Sequence, residues 1–243
     1  MQQSSDQLYT SGAYLENNPD WHQEGSKWKA NLVFDFIKKF NIPAAQVVEV
    51  GCGAGEILAQ LAKLLGPATV LKGYDISPQA IQIASQKETE QLHFFTGDYS
   101  KIYSDKVDLI LVIDVIEHVD DIYSFLRAVR PAGRNFIFHI PLDLSCRTIL
   151  KPHVMLQQRT SVGHIHYFTE ETASWLLKDT GYSIVHFIYT KPEIDLAKPQ
   201  TVKQRIKKGL RRFSYAMNKK LSVKLWGGYS LLLYCQPMNE SNE

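Results

Sequence analysis

The sequence predicts a doubly wound α/β fold. Strand-like and helix-like segments alternate from residue 46 to about residue 140, and a glycine-rich turn joins the first strand to the first helix. Acids then recur at successive strand exits, at Asp75, Asp98 and Asp114. Alternation of this kind favours a parallel sheet with helices on both faces, because parallel neighbours need crossover connections.

The elements follow in order. The first forty residues are aromatic, with Tyr9, Tyr14, Trp21, His22, Trp28 and Phe34, and residues 27–40 are predicted as a helix stopped near Pro43. Residues 47–50 (Val-Val-Glu-Val) form a short buried strand. Gly51, Gly53 and Gly55 mark a tight turn where main chain approaches a ligand closely. Ile57, Leu58, Leu61, Leu64 and Leu65 then form the apolar stripe of a helix. Strand, turn and helix together aim N–H groups and a positive helix end at an anion.

Residues 70–75 and 92–99 are predicted as the second and third strands, residues 107–119 hold the fourth, and residues 134–141 form the fifth, after a Pro131–Gly133 turn. A longer loop, 142–167, precedes a helix that Thr169 or Glu170 opens. Residues 182–189 and 229–235 are the sixth and seventh strands.

The glycine turn has Glu56 where a dinucleotide fingerprint needs its third glycine, and no Gly-Lys-Ser/Thr tripeptide follows it. The pattern E-x-G-x-G-x-G, from Glu49 to Gly55, resembles motif I of the class I S-adenosylmethionine methyltransferases. The wording Asp114-Val115-Ile116-Glu117-His118-Val119 is similar to the fourth-strand motif of their small-molecule members, including the ubiquinone-biosynthesis group. The resemblance implies a Rossmann-like methyltransferase fold: seven strands, mostly parallel, the last antiparallel. It implies S-adenosylmethionine as cofactor, held by Glu49, Gly51, Cys52, Gly53, Gly55, Asp75, Ile76, Asp98, Tyr99 and Asp114. In that set Asp75 accepts from the ribose hydroxyls, Asp98 from the adenine amine, and Glu49 answers the ligand's ammonium. Cys52 reads as a small spacer between glycines.

The chain divides into an aromatic, helical cap (1–43), a cofactor-binding core (44–190), a basic amphipathic insertion (191–228) and a last strand with tail (229–243). Its 243 residues suffice for one substantial core. The beginning of the chain lacks the features of a signal peptide, and no apolar run reaches membrane-spanning length. Cys52, Cys146 and Cys235 are odd in number and widely spaced, which suits reduced thiols and a cytoplasmic location.

A net charge of +2 conceals an asymmetry, since residues 191–224 hold 11 Lys/Arg against 2 acids. Val202, Ile206, Leu210, Phe213, Met217 and Leu221 fall at helical spacing there. The favoured expectation is that this stripe packs on the core or on a sister subunit of a homodimer. The alternative is contact with nucleic acid or an anionic membrane surface.

The candidate catalytic residues are His118, His164 and His166. Imidazole can accept a proton at neutral pH without tuning. His164 and His166 share one side of an extended chain, which with Tyr167 suits a polar pocket wall. His139 closes an apolar strand and is expected to be a satisfied interior group. The run D-x-x-E-H is similar to the E-x-x-E-H that binds a divalent cation in ubiquinone-pathway and small-RNA methyltransferases, but Asp replaces the first Glu. A divalent metal is therefore not favoured, and no metal ligand is assigned.

No Asn-Pro-Pro-Tyr or Pro-Cys follows the fourth strand, which argues against base-amine and cytosine-C5 chemistry. The expected function is methyl transfer to a small acceptor, most readily at the oxygen of a sugar, phenol or lipid-linked metabolite. The alternatives are an RNA-directed methyltransferase using the basic insertion and a non-catalytic cofactor-binding scaffold.

Overall fold

A computed structural model describes residues 25–103 and 105–238. Tyr9, Tyr14, Trp21 and His22 of the expected cap lie outside the described residues. The first described helix, α1 (Ser26–Lys39), buries Ala30, Val33, Phe36 and Ile37. It ends four residues before Pro43, and Asn41 then takes the left-handed conformation at φ 49°. Ile42 N–H then donates to Ile37 C=O at 3.0 Å, and Asn41 N–H to Lys38 C=O at 3.4 Å.

Seven strands form one sheet in the order β3-β2-β1-β4-β5-β7-β6. They are β1 (Gln46–Val50), β2 (Val70–Asp75), β3 (Leu92–Thr96), β4 (Val107–Ile113), β5 (Gly133–Pro141), β6 (Tyr182–Thr190) and β7 (Ser230–Pro237). β1 to β5 pair in parallel, and β7 lies antiparallel between β5 and β6. This is the Rossmann-like methyltransferase topology. The central strands read as continuous apolar runs because both faces are covered. Leu109, Leu111 and Ile113 of β4 face one core with α1 and α2 (Glu56–Leu65). Ile110 and Val112 face the other, with α5 (Ile122–Val129) and α8 (Glu170–Asp179).

Between these lie α3 (Pro78–Ala84), capped by Ser77, and the short α4 (Tyr99–Ile102), capped by Asp98. Thr169 caps α8 in a reciprocal pair with Thr172, as its position predicted. On α2, Leu58 and Leu61 are buried, but Leu64 is exposed and leaves the expected stripe.

Two expectations fail. The segment 142–167 is not one loop: it holds α6 (Cys146–Ile149) and α7 (His153–Ser161), and Ser145 and Thr148 cap α6 reciprocally. The insertion holds α9 (Pro192–Asp195), α10 (Val202–Met217) and α11 (Lys219–Trp226). The apolar stripe of α10 does not pack on the core. Val202, Ile206, Leu210, Phe213 and Met217 are 52 to 73% exposed, while Arg211 of the same helix is 1% exposed. The inward face is held by polar contacts instead. Arg211 donates to Trp226 C=O and pairs with Glu193, and Tyr215 donates to Tyr189 C=O.

Candidate active site

A cleft of about 1250 Å³ opens at the carboxyl ends of the parallel strands. It lies where the strand order reverses between β1 and β4, the place where open α/β sheets bind ligands. Gly51 and Gly53 line it, and Gly51, Gly53 and Gly55 have positive φ values of 73°, 52° and 75°. A Cβ on Gly51 would stand 2.5 Å from Val115 Cγ2, and one on Gly55 2.5 Å from Phe94. The turn is thus closed to side chains, and its backbone faces the cleft.

The carboxylate of Asp75 ties this turn to the next helix. Oδ2 accepts from Gly53 N–H and Oδ1 from Ser77 N–H, each at 2.8 Å. Asp98 accepts from Ser100 N–H and pairs with Lys101 at 2.8 Å. Ile76, Asp98 and Tyr99 all line the cleft, with Tyr99 buried against Tyr74 and Tyr103. Cys52 sits 2.8 Å from where a Cβ of Gly73 would lie, and burial pushes its thiol well above the ordinary value. It fills space as a spacer does.

Glu49 is 1% exposed, and among the described residues its Oε2 has no hydrogen-bond partner. Burial raises its carboxyl to about 8, against the pull of Lys29. Lys29 was not anticipated as a site residue. Its Nζ lies 2.5 Å from Asp114 Oδ2, and Asp114 Oδ1 lies 2.5 Å from His139 Nδ1. Desolvation works against ionisation of Asp114, yet His139 and Lys29 outweigh it and hold the carboxyl far below the usual range. His139 is buried and completes a chain through Nε2 to Thr190 Oγ1 at 2.9 Å, as expected for a satisfied interior group. The signal for Lys29 was its phase: it falls among Ser26, Ala30 and Val33 on the buried face of α1.

A second cluster lies beside Asp114. Glu117 is completely buried, and among the described residues neither carboxylate oxygen has a hydrogen-bond partner. Burial, then Asp114, keeps its carboxyl well above the usual value. His118 Nδ1–H donates to Gly163 C=O at 3.1 Å, and burial, then His164, lowers its imidazole to about 4. His118 is therefore neutral at pH 7, with its lone pair on Nε2. The two imidazoles stand edge to face, with centroids 4.9 Å apart.

His164 Nδ1 lies 2.7 Å from Asp143 Oδ2, and Gln158 Nε2 donates to Asp143 Oδ1 at 2.7 Å. Asp143 and Gln158 were also not anticipated. Asp143 follows β5 as the other acids follow their strands; Gln158 carried no sequence signal. Glu117, His118 and His164 each bring a ligand-type atom within 4.8 Å of one another, a donor set that suits a divalent cation.

His166 departs from the expectation. It does not line this cleft: its Nε2–H donates to Val119 C=O at 2.8 Å, beside a smaller recess on the far side of the segment. Tyr167 donates to Met155 and His164 carbonyls and also faces that recess. The backbone is the reason. Ile165 and His166 N–H both bond to Glu117 C=O, which breaks the extended geometry that would have kept the two histidines on one side.

The fold and glycine cradle define a class I S-adenosylmethionine-dependent methyltransferase. A family profile described as "Methyltransferase domain" matches residues 21–187, and the chain belongs to that family. A ubiquinone biosynthesis O-methyltransferase of Hydrogenovibrio crunogenus is 29% identical over 138 residues, covering 52% of this chain and 55% of that protein. A norajmaline N-methyltransferase of Rauvolfia serpentina is 33% identical over 105 residues, covering 40% and 34%. Matches to the curated relatives thus span about half of their length or less. The magnesium protoporphyrin IX methyltransferase of Synechocystis, solved with bound SAH, shares the fold at a TM-score of 0.61 and 18% identity, over 96% of this chain and 97% of that one.

The cofactor implied by the family fits these residues. The cradle admits no side chain at Gly51 or Gly55, and the buried Glu49 Oε2, without a hydrogen-bond partner among the described residues, suits a cation.

Proposed function

We propose that this protein transfers a methyl group from S-adenosylmethionine to the oxygen of a small molecule. Bound in the cleft, that cofactor supplies a methyl group already activated on a sulfonium. The turn at residues 51–55 holds its amino-acid end, and Glu49 accepts from its ammonium. Asp75 and Ile76 take the ribose, Asp98 and Tyr99 the adenine, and Asp114 closes the end nearest the chemistry.

The observation that carries the reading is His164 on the cleft wall with Asp143 behind it, 2.7 Å from Nδ1. A hydroxyl must lose its proton as it becomes a nucleophile. His164 Nε2 accepts that proton, while Asp143 fixes the ring through Nδ1–H and stabilises the imidazolium. Neutral His118 packs beside it and orients the acceptor. Amine acceptors need no such base once neutral, so the pair favours oxygen over nitrogen.

One observation favours a second reading of the same residues: the buried carboxyl of Glu117, which accepts no hydrogen bond among the described residues and lies beside His118 and His164. These three would hold a divalent cation, with Asp143 orienting His164 from behind. The cation would lower the pKa of a coordinated acceptor hydroxyl.

The test is calorimetry with S-adenosylhomocysteine, then labelled-methyl transfer to phenol, catechol and sugar panels by wild type and His164→Ala. Binding without transfer to any acceptor would support a scaffold and sink the proposal. Equal turnover by His164→Ala would remove that residue from the mechanism.

A further inference from the structure

Among the described residues the outward face of the insertion has no partner. On α10 and α11, Val202, Ile206, Leu210, Phe213, Met217, Leu221 and Leu225 are 43 to 73% exposed. Spacing of three or four residues keeps the five on α10 on one line, while the extended backbone at Asn218 (φ −153°, ψ 104°) sets Leu221 and Leu225 apart on α11. A contiguous apolar strip of this size on a folded chain marks an interaction surface. The insertion is anchored to the body, by Tyr215 to Tyr189 C=O, Ser222 to Tyr229 and Lys224 to Glu171, so the exposure is not that of a detached helix.

Charge decides what covers it. From Val202 to Met217 there are six Lys/Arg and no acid. At about 100° per residue, Lys203 and Lys207 flank the strip on one side, Arg205 and Arg212 on the other. Arg147 and Lys151 lie near enough to add repulsion at Lys207, whose ammonium burial first, and these neighbours next, push below its ordinary value. Next to them, Ile149 and Leu150 of the α6 region are 63% and 81% exposed. α6 packs against α11, so this pair extends the same surface.

We infer that α10 and α11 form an interfacial docking surface for an anionic lipid bilayer, with the apolar strip entering the acyl boundary and the flanking Lys and Arg meeting headgroup phosphates. An apolar centre with basic flanks is the pattern of a helix lying in a membrane interface. Two copies packed strip to strip would bring their basic flanks together. A nucleic acid would meet apolar side chains where phosphate contacts are needed. Among the described residues no helix is long and apolar enough to cross a membrane, so this attachment is peripheral. The surface adjoins the cleft through α9: Leu196 lines the cleft, and Lys208 Nζ bonds to Ala197 C=O at 2.7 Å.

The experiment is flotation of the full chain with phosphatidylcholine vesicles, with and without phosphatidylglycerol. Binding is expected only with phosphatidylglycerol, weakened but not abolished by high salt. Ile206→Glu/Phe213→Glu should lower the bound fraction at least about tenfold, and Lys203→Glu/Arg212→Glu should do the same. All four positions are exposed, so unchanged circular dichroism and S-adenosylhomocysteine binding are expected. Failure to float with anionic vesicles, or equal flotation of both variants, would overturn the proposal. So would a dimer in sedimentation that the same substitutions dissociate, or RNA binding that they weaken while flotation persists. None of these outcomes bears on the methyl acceptor.

Discussion

Lys29 Nζ lies 2.5 Å from Asp114 Oδ2, joining a helix outside the sheet to the residue that follows β4. Asp114 has a left-handed backbone at φ 53°, uncommon for a residue with a side chain. Two neighbours, Lys29 and His139, hold its carboxylate from either side. Lys29→Met leaves the carboxylate with one partner and is expected to cost about 2 kcal/mol of stability, less than for a fully buried pair because both groups touch solvent. Urea unfolding, with S-adenosylhomocysteine affinity as second readout, checks it; an unchanged midpoint would mean His139 alone suffices.

Gly53→Arg should abolish S-adenosylhomocysteine binding. Gly53 lines the cleft at φ 52°, so the substitution both strains the turn and fills the cradle. Calorimetry on a variant with native circular dichroism decides it, and retained affinity would place the ligand elsewhere.

Glu49 makes binding pH-dependent. Its carboxyl titrates near 8 in the folded protein, against an ordinary 4.5. Between those values the folded state keeps a proton that the unfolded chain has lost. The stability contributed by the protonated form is therefore complete below about pH 4.5 and lost as pH rises through 8. A ligand ammonium needs the carboxylate, so affinity should rise from about pH 6 to about pH 8, approaching tenfold per unit. Glu49→Gln should flatten both profiles. A wild-type affinity constant across that range would show that Glu49 does not meet a cation.

His164→Ala and Asp143→Asn are each expected to lower kcat by about 100- to 1000-fold towards hydroxyl acceptors while leaving S-adenosylhomocysteine affinity intact. Steady-state kinetics separates kcat from KM. An equal fall in cofactor affinity would instead indicate a structural role.

Chelation separates the two readings of the histidine cluster. If Glu117, His118 and His164 hold a cation, EDTA lowers turnover and Mn²⁺ restores it. Mn²⁺ should then also raise the melting temperature of wild type but not of Glu117→Gln. If His164 acts as a base alone, EDTA changes neither rate nor melting temperature.

The cradle was legible because its chemistry is local. Glycines on alternate positions, a preceding acid and the acids at strand exits mark Glu49, Asp75, Asp98 and Asp114 directly. The histidine wall was only half legible. His164 reaches the cleft and His166 does not, because two N–H groups converge on Glu117 C=O, a contact across 48 residues or more that no local pattern encodes. Asp143 and Lys29 were missed for the same reason: each acquires a role only from a partner distant in sequence.

Periodicity determined that the chain is a doubly wound sheet with a glycine cradle, since period, turn chemistry and strand-exit acids are properties of neighbouring residues. It also placed an amphipathic helix at α10, but not the direction in which its stripe faces. That was decided by tertiary structure: Tyr215 bonds to Tyr189 C=O on the body of the protein, and Arg211 and Ser214 turn inward to Glu193, Trp226 and Ser222 of the same insertion, which leaves the apolar side outward.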